Sequence, residues 1–421
     1  MTKEIWPGNY KSITTETMTT KEKVDNLLTR GVVDVIDKEN LSQRLLNGEK
    51  LRVKLGIDPT GPDIHIGRGS TIRKLREFQE LGHSVVLIIG DATARIGDAS
   101  DKTEGRKSLS DEEIFRNEQH YLAQIGRLIN LDQAEIHHNS EWIDKLDPKM
   151  WIRLASLFTI QQMAQRDNFA QRIKNDNPVG YQEGLYCLLQ GWDSVMVKAD
   201  VEIGGTDQLF NLNAGRKIQQ NFGQKPQDVM MLQLLAGTDG RKMSTSWGNV
   251  ILVTDSPEEK YGKIMRLSDQ LIPVYMEVAT MIPMQRVREI QQLLEEGDIN
   301  PMELKKELAH SIVTLYDDEE KAKRAQSYFE KTVQAKQAPE EVPSLKISAE
   351  NISVADLFSY LVKANLVKSK SEAKRLLQEG AISVDGVRLD NNPEQEIRIS
   401  KKELMIQVGK RRFLKLALET Q

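Results

Sequence analysis

Residues 84–91 read SVVLIIGD, a run of apolar side chains with no polar alternation. A strand with one face in water alternates, so an unbroken apolar run bounded by turn residues reads as a strand covered on both faces, the mark of a parallel sheet. Upstream, LRVKLGID (51–58) is a second short strand-like run. Between the two, STIRKLREFQELG places apolar residues at helical spacing and ends in Gly82. Strand, helix and strand make a βαβ unit, whose handed crossover implies an open parallel sheet. Ligands of such sheets bind beyond the carboxyl ends of the strands, where loops 58–69 and 91–106 fall.

The remaining chain organises around this unit. Residues 1–27 are polar and without a period, and read as a mobile tail. From 111 to about 200 the periods are mainly helical, and VEIGGTDQLFNLNAGRKIQ (201–219) reads as strand, glycine turn and helix, where the sheet resumes. The expectation is a Rossmann-like domain over 28–250 with a helical insertion at about 111–200. Residues 256–335 repeat apolar and charged positions at helical spacing and predict a separate helical domain. A linker over 336–350, holding KQAPEEVPSLK, leads to a small α+β module at 351–421. That module contains two short helices and a hairpin whose Asp385 and Gly386 suit a two-residue turn. The expected fold class is α/β, and 421 residues leave room for several domains.

Composition excludes some functions. No run of about 18 apolar residues exists that would cross a bilayer. The first thirty residues hold no apolar secretory core, so a cytoplasmic protein with no membrane partner is expected. The single cysteine, Cys187 in LYCLLQ, excludes a disulfide framework or a cysteine zinc site and reads as core. Net charge is −4, yet 351–421 carry 13 Lys and Arg against 9 Asp and Glu, so a polyanion partner would meet the C-terminal end. Lys370, Lys374 and Arg375 on KSKSEAKRLLQEG, with Arg388 on the hairpin, are the candidate RNA phosphate contacts.

Two stretches concentrate chemistry. In GIDPTGPDIHIGRGST (56–71), Pro59 and Pro62 stiffen the exit from the strand, while Gly67 and Gly69 let backbone come close to a ligand. A helix beginning near 65–67 points free amides and its positive dipole end outward, which favours phosphate, and His65 adds a hydrogen-bond donor. In GTDGRKMSTSWGN (237–249), a glycine-rich turn presents Arg241 and Lys242 beside Ser244, Thr245 and Ser246, a loop able to grip polyphosphate. Taken singly, the first also reads as a structural turn and the second as a solvated loop.

Together, HIG followed by KMS about 175 residues later resembles the paired ATP signatures of class I aminoacyl-tRNA synthetases. GIDPT with IHIG, LYCLLQGWD (185–193) and IGGTDQLFN (203–211) look like the tyrosine-specific members, and the basic C-terminal module resembles their S4 RNA-binding domain. The resemblance covers residues 28–421. It implies a Rossmann-like catalytic domain, a helical anticodon-binding domain and an S4-like domain, assembled as a homodimer. The implied partners are L-tyrosine, ATP with Mg2+ and tRNA(Tyr). The implied reaction is attack of the amino acid carboxylate on the α-phosphorus of ATP, then transfer of the tyrosyl group to the terminal ribose of the tRNA.

The resemblance also implies roles residue by residue. His65, Arg68, Lys242, Lys102 and Arg106 would stabilise charge on the phosphates. Asp58, Thr60, Gly67, Thr71, Gly205, Asp207, Met243, Ser244 and Thr245 would join His65 and Lys242 in the ATP site. Asp193 would accept the phenol hydroxyl, Tyr186, Gln190 and Asp98 would hold the ammonium, and Asn139 and Gln208 would complete the tyrosine pocket. The spacing agrees, because Tyr186, Gln190 and Asp193 are four and then three apart and share one helix face. No carboxylate cage for a metal is visible. Four positions depart from the family pattern. Arg68 stands where a second histidine is usual and Thr245 where a lysine is usual, so one cation is gained and one lost around the phosphates. Lys54 and Leu55 stand where one branch has tyrosine and cysteine, which leaves the phenol fewer partners. The apolar helical stretch 150–165 suits either a self-complementary surface or a core helix.

Overall fold

Six strands form the main sheet: β1 (Val32–Ile36), β2 (Arg52–Ile57), β3 (Ser84–Ile89), β4 (Ala134–His138), β5 (Val201–Gly205) and β6 (Asp228–Leu232). The structure is a computed structural model that describes residues 18–98, 109–243, 247–297, 299–334, 342–349, 351–392, 394–399, 403–409 and 412–418. The strand order is β1-β6-β5-β2-β3-β4. Every neighbouring pair is parallel except β1, which runs antiparallel to β6 at the edge. Val85 to Ile89 are all buried, as a strand covered on both faces requires.

The sequence expectation fails at two places here. Helix α1 (Thr20–Thr29) occupies the end of the expected tail, of which residues 1–17 lie outside the described residues. Thr19 and Glu22 form a reciprocal capping box, and Val24, Leu27 and Leu28 bury one stripe of the helix, so eight residues assigned to the tail are anchored. Strand β4 lies inside the region read as helical. Its five residues, AEIHH, are only half-buried at the sheet edge, so no apolar run announces them.

Residues up to Glu319 form one compact unit and those from Glu320 onward a second. The first unit therefore holds the helices that follow the sheet as well as the sheet itself. Helix α2 (Ile66–Glu80) packs between the sheet and these helices. Arg73 on α2 donates from Nη2 to the Val278 carbonyl at 2.9 Å, and Arg30 donates to the carbonyls of Met276, Glu277 and Thr280. Both guanidiniums thus satisfy the open C-terminal carbonyls of a helix at Ile272–Ala279, where a cation is electrostatically favoured. A Cβ at Gly69 would lie 2.4 Å from the Tyr316 hydroxyl. Gly69 is therefore needed for the approach of the helix Pro301–Tyr316, a packing role in place of the expected ligand approach.

The second unit has a five-stranded sheet of order β10-β9-β12-β13-β7 and a two-stranded pair, β11 with β8. Its strands are β7 (Ser344–Ile347), β8 (Asn351–Ser353), β9 (Ile382–Val384), β10 (Val387–Arg388), β11 (Glu396–Arg398), β12 (Glu403–Val408) and β13 (Arg412–Leu418). Asp385 and Gly386 both have positive φ, 46° and 83°, and close the β9–β10 hairpin as a primed turn. Helices at Val354–Lys363 and Lys370–Gln378 bury Leu357, Leu361, Ala373 and Leu377 in the core of this unit. Lys370, Lys374, Arg375 and Arg388 are all exposed, and Arg375 pairs with Glu379 at 2.6 Å.

Candidate active site at the carboxyl ends of the strands

Strands β2, β3 and β5 end around a cavity of about 310 Å³. Helix α3 (Tyr181–Met196) lies along one side and the first turn of α2 along another. Asp58, Thr60, His65, Gly67, Arg68, Thr71, Asp98, Asn139, Tyr186, Gln190, Asp193, Gly205, Asp207, Gln208, Lys242 and Met243 all line it. Segments 185 residues apart in sequence, Asp58 to Met243, therefore meet at one opening. Lys102, Arg106, Ser244 and Thr245 lie outside the described residues.

One end of the cavity is buried. Asp193 on α3 accepts hydrogen bonds from Trp142 Nε1 at 2.8 Å and Asn139 Nδ2 at 3.4 Å. Burial pushes its carboxyl up to about 7, against the pull of Lys54 and of those two donors. Asn139 also donates to Thr93 Oγ1 at 3.0 Å and accepts from the Ala92 amide, so it braces the turn after β3 while facing Asp193. Tyr186 donates its hydroxyl to Asp58 Oδ2 at 3.0 Å, and Thr93 donates to Asp58 Oδ1 at 2.8 Å. Burial, reinforced by the Asp58 and Asp98 charges, holds the Tyr186 phenol well above its usual range, so it stays neutral. Gln208 donates to Asp98 Oδ2 at 2.6 Å and accepts from Asn211. Beneath them Gln190 donates from Nε2 to Glu202 at 3.1 Å. Carboxylates and amide oxygens converge here, an acceptor set suited to a ligand carrying a hydroxyl and an ammonium.

The other end is open and cationic. His65 caps the N-terminus of α2, its Nδ1 accepting the Arg68 backbone N–H at 3.3 Å. An accepting Nδ1 leaves the imidazole proton on Nε2, a donor for a ligand oxygen. Burial first, then the charges of Arg68 and Lys242, hold the His65 imidazole down at about 4, so it is neutral at physiological pH. Arg68 is exposed and donates to the Tyr121 hydroxyl at 2.9 Å. Lys242 lies 3.7 Å from Asp207, its side chain half-exposed. A Cβ at Gly67 would come within 3.2 Å of both the His65 ring and Met243 Sδ, so glycine keeps this approach open. The Ile66 amide is donated to the Ile251 carbonyl at 2.9 Å and the Arg68 amide to His65, so the positive end of the helix dipole, a neutral donor and two cations form the surface suited to polyphosphate.

Four contributors went unread in the sequence. Thr93 braces Asp58 and Asn139, Trp142 holds Asp193, Tyr121 holds Arg68, and Glu202 holds Gln190. Thr93 had a signal, since it follows the apolar run of β3 at the switch from strand to helix. Trp142, Tyr121 and Glu202 had none, because their partners are more than ten residues away.

Residues 46–334 match the family described as tRNA synthetases class I (W and Y), and residues 334–416 match the Tyrosine--tRNA ligase SYY-like C-terminal domain. The chain is 45% identical over 404 residues to the Tyrosine--tRNA ligase of Thermotoga maritima, covering 95% of this chain and 98% of that protein. It is 44% identical over 400 residues to the Tyrosine--tRNA ligase of Carboxydothermus hydrogenoformans, covering 93% and 97%. In fold it is similar to the crystal structure of tyrosyl-tRNA synthetase from Archaeoglobus fulgidus complexed with L-tyrosine, with a TM-score of 0.60, 24% identity and coverage of 73% and 100%. A C-terminally truncated mitochondrial tyrosyl-tRNA synthetase from Aspergillus nidulans is also similar, with a TM-score of 0.59, 21% identity and coverage of 72% and 92%.

Proposed function

This chain belongs to the tyrosine branch of the class I tRNA synthetases, and we propose that its cavity makes tyrosyl-adenylate from L-tyrosine and ATP and then charges tRNA(Tyr). The observation that carries this reading is one cavity with a buried carboxylate at one end and a histidine-capped helix N-terminus beside Lys242 at the other. A tyrosine carboxylate oxygen attacks the α-phosphorus, the mixed anhydride forms and pyrophosphate leaves. A ribose hydroxyl of the tRNA terminus then attacks the carbonyl carbon, and AMP leaves. No enzyme nucleophile takes part, so catalysis is positioning together with stabilisation of growing phosphate charge.

Asp193 accepts the phenol hydroxyl, and Gln190, Asp98 and Tyr186 receive the ammonium, with Asn139 and Gln208 holding the pocket's shape. His65 Nε2–H, Lys242 and Arg68 meet the phosphates, joined by Lys102 and Arg106, while Asp207 and Thr71 take the ribose. Asp58, Thr60, Gly67, Gly205 and Met243 shape the ATP site together with Ser244 and Thr245. Among the described residues no group of three His, Cys, Asp or Glu side chains could hold a metal. Magnesium in this reading would arrive with the ATP and neutralise part of its phosphate charge.

The test is pyrophosphate exchange with tyrosine, tryptophan, phenylalanine and no amino acid, followed by tRNA charging. Exchange with tyrosine alone is expected, because a pocket built to bond a hydroxyl refuses the analogue lacking it, as tyrosine enzymes of this kind do. Preference for tryptophan, or tight tRNA binding without any exchange, would overturn the reading.

The assembly and location belong to the same proposal. Ile152 and Ile160, within the stretch 150–165, are exposed, as residues of an isologous homodimer surface would be in one chain; a light-scattering mass of one 47.8 kDa chain would refute the dimer. Lys370, Lys374, Arg375 and Arg388 contact RNA phosphates, so tRNA affinity should fall with salt. No helix among the described residues is long and apolar enough to cross a membrane, and we place the enzyme in the cytoplasm, where its tRNA is used.

A further inference from the structure

Lys54 on β2 and Glu202 on β5 form an ion pair of 2.9 Å beneath the cavity, exposed by only 0% and 1%. Lys54 Nζ donates to the Gln190 carbonyl at 2.8 Å and to Ser194 Oγ at 2.8 Å. Glu202 accepts from Gln190 Nε2, Ser194 Oγ and Gln227 Nε2. A dry ion pair adds little stability over well-packed neutral residues, so its presence calls for a role beyond cohesion. We propose that this pair is the specificity-setting floor of the amino acid pocket: it aims the Gln190 amide and sets the charge on Asp193, so that the pocket demands a hydroxyl. This rests on the reading of the cavity as a tyrosine site.

The geometry gives the pair two routes of action. With Nε2 of Gln190 committed to Glu202, its Oε1 is the atom left for a ligand, an acceptor matched to an ammonium. Asp193 stands one turn further along the same helix face. The groups acting on it are Lys54 from β2 and Glu202 from β5, with the neutral donors Trp142 and Asn139. Tyr186 lies on its own helix under the influence of Asp58 and Asp98, and the His137 ring sits 5.8 Å from that of Trp142. Lys54 favours the Asp193 carboxylate, while Glu202 and burial oppose it. A carboxylate left facing an apolar ring is costly, whereas a neutral acid is less so. Lys54 thereby makes phenylalanine the worse ligand. Both residues are positioning residues, since they act through Gln190 and Asp193.

The experiment follows tyrosine-dependent pyrophosphate exchange against pH in the full-length protein, Lys54→Met, Glu202→Gln and the double variant, with phenylalanine as competitor. Lys54→Met is expected to move the acid limb of kcat/KM for tyrosine upward by about one pH unit and to lower the preference for tyrosine about tenfold. Glu202→Gln is expected to move the limb downward. The double variant loses the larger pull and the smaller push, so it should lie between the unmodified protein and Lys54→Met, and it keeps the test alive if a single variant fails to fold. KM for ATP should stay unchanged throughout. A limb that stays put in the double variant, or that moves the same way in both single variants, overturns the proposal. No tyrosine-dependent exchange by the unmodified protein would instead overturn the function on which it rests.

Discussion

The two ends of the cavity solve recognition by opposite means. At the proposed amino acid end Asp193, Asn139, Lys54 and Glu202 are each at most 3% exposed and hold hydrogen bonds to other protein groups. At the proposed nucleotide end Arg68 and Lys242 reach into solvent while touching Tyr121 and Asp207, beside the positive end of a helix and the neutral His65 ring. A small ligand differing from its competitor by one hydroxyl needs groups whose desolvation has already occurred and whose geometry is locked. A triphosphate carries several charges and tolerates long, adaptable cations, whose value appears as charge develops in the transition state. On the proposed reading, selectivity is stored in the core and rate on the surface.

The sharpest way to break that contrast is to remove a surface cation and look for damage in amino acid selection. Lys242→Met should lower kcat for pyrophosphate exchange by about 10² to 10³ and leave KM for tyrosine unchanged. A comparable rise in KM for tyrosine would mean that the ends are not separable. The reciprocal change is Asp193→Asn. One side of the new amide must present an NH2 to Trp142 Nε1 or Asn139 Nδ2, leaving two donors opposed. Steady-state kinetics should show kcat/KM for tyrosine falling about 10- to 100-fold, through KM, with KM for ATP untouched. A change in KM for ATP of similar size would again erase the distinction.

These two ends were unequally legible in the sequence. The nucleotide end was readable because its elements are local: a strand exit, two prolines, a histidine and a helix start lie within GIDPTGPDIHIGRGST. Helix periodicity likewise put Tyr186, Gln190 and Asp193 on one face. What fixes the protonation of Asp193 was not readable, because Lys54, Trp142 and Glu202 come from three separate elements. Nothing in RVKLGI says that its lysine is buried, since a lone lysine in a strand ordinarily faces water. Gly69 was legible as a close approach but not as to what, because its neighbour Tyr316 lies 247 residues further along. Strand β4 escaped because an edge strand of half-buried polar residues carries no hydrophobic signature.

The smallest expected effect is one of pH, and it sharpens the contrast through sign. Burial lifts the Asp193 carboxyl from 3.8 to about 7, while His65 falls to about 4. If the carboxylate accepts the phenol proton, kcat/KM for tyrosine should drop about tenfold for each pH unit below about 7. KM for ATP should stay level over the same window, because His65 remains neutral there. Stability moves the other way. A carboxyl whose folded value exceeds its unfolded one adds stability that is complete below about 4 and is lost as pH rises through about 7. The empty protein at pH of about 8 therefore carries an ionised, dry carboxylate that a bound phenol would relieve. Saturating tyrosine should accordingly raise Tm more at pH of about 8 than at about 6, and an equal gain at both would show that Asp193 does not carry that charge.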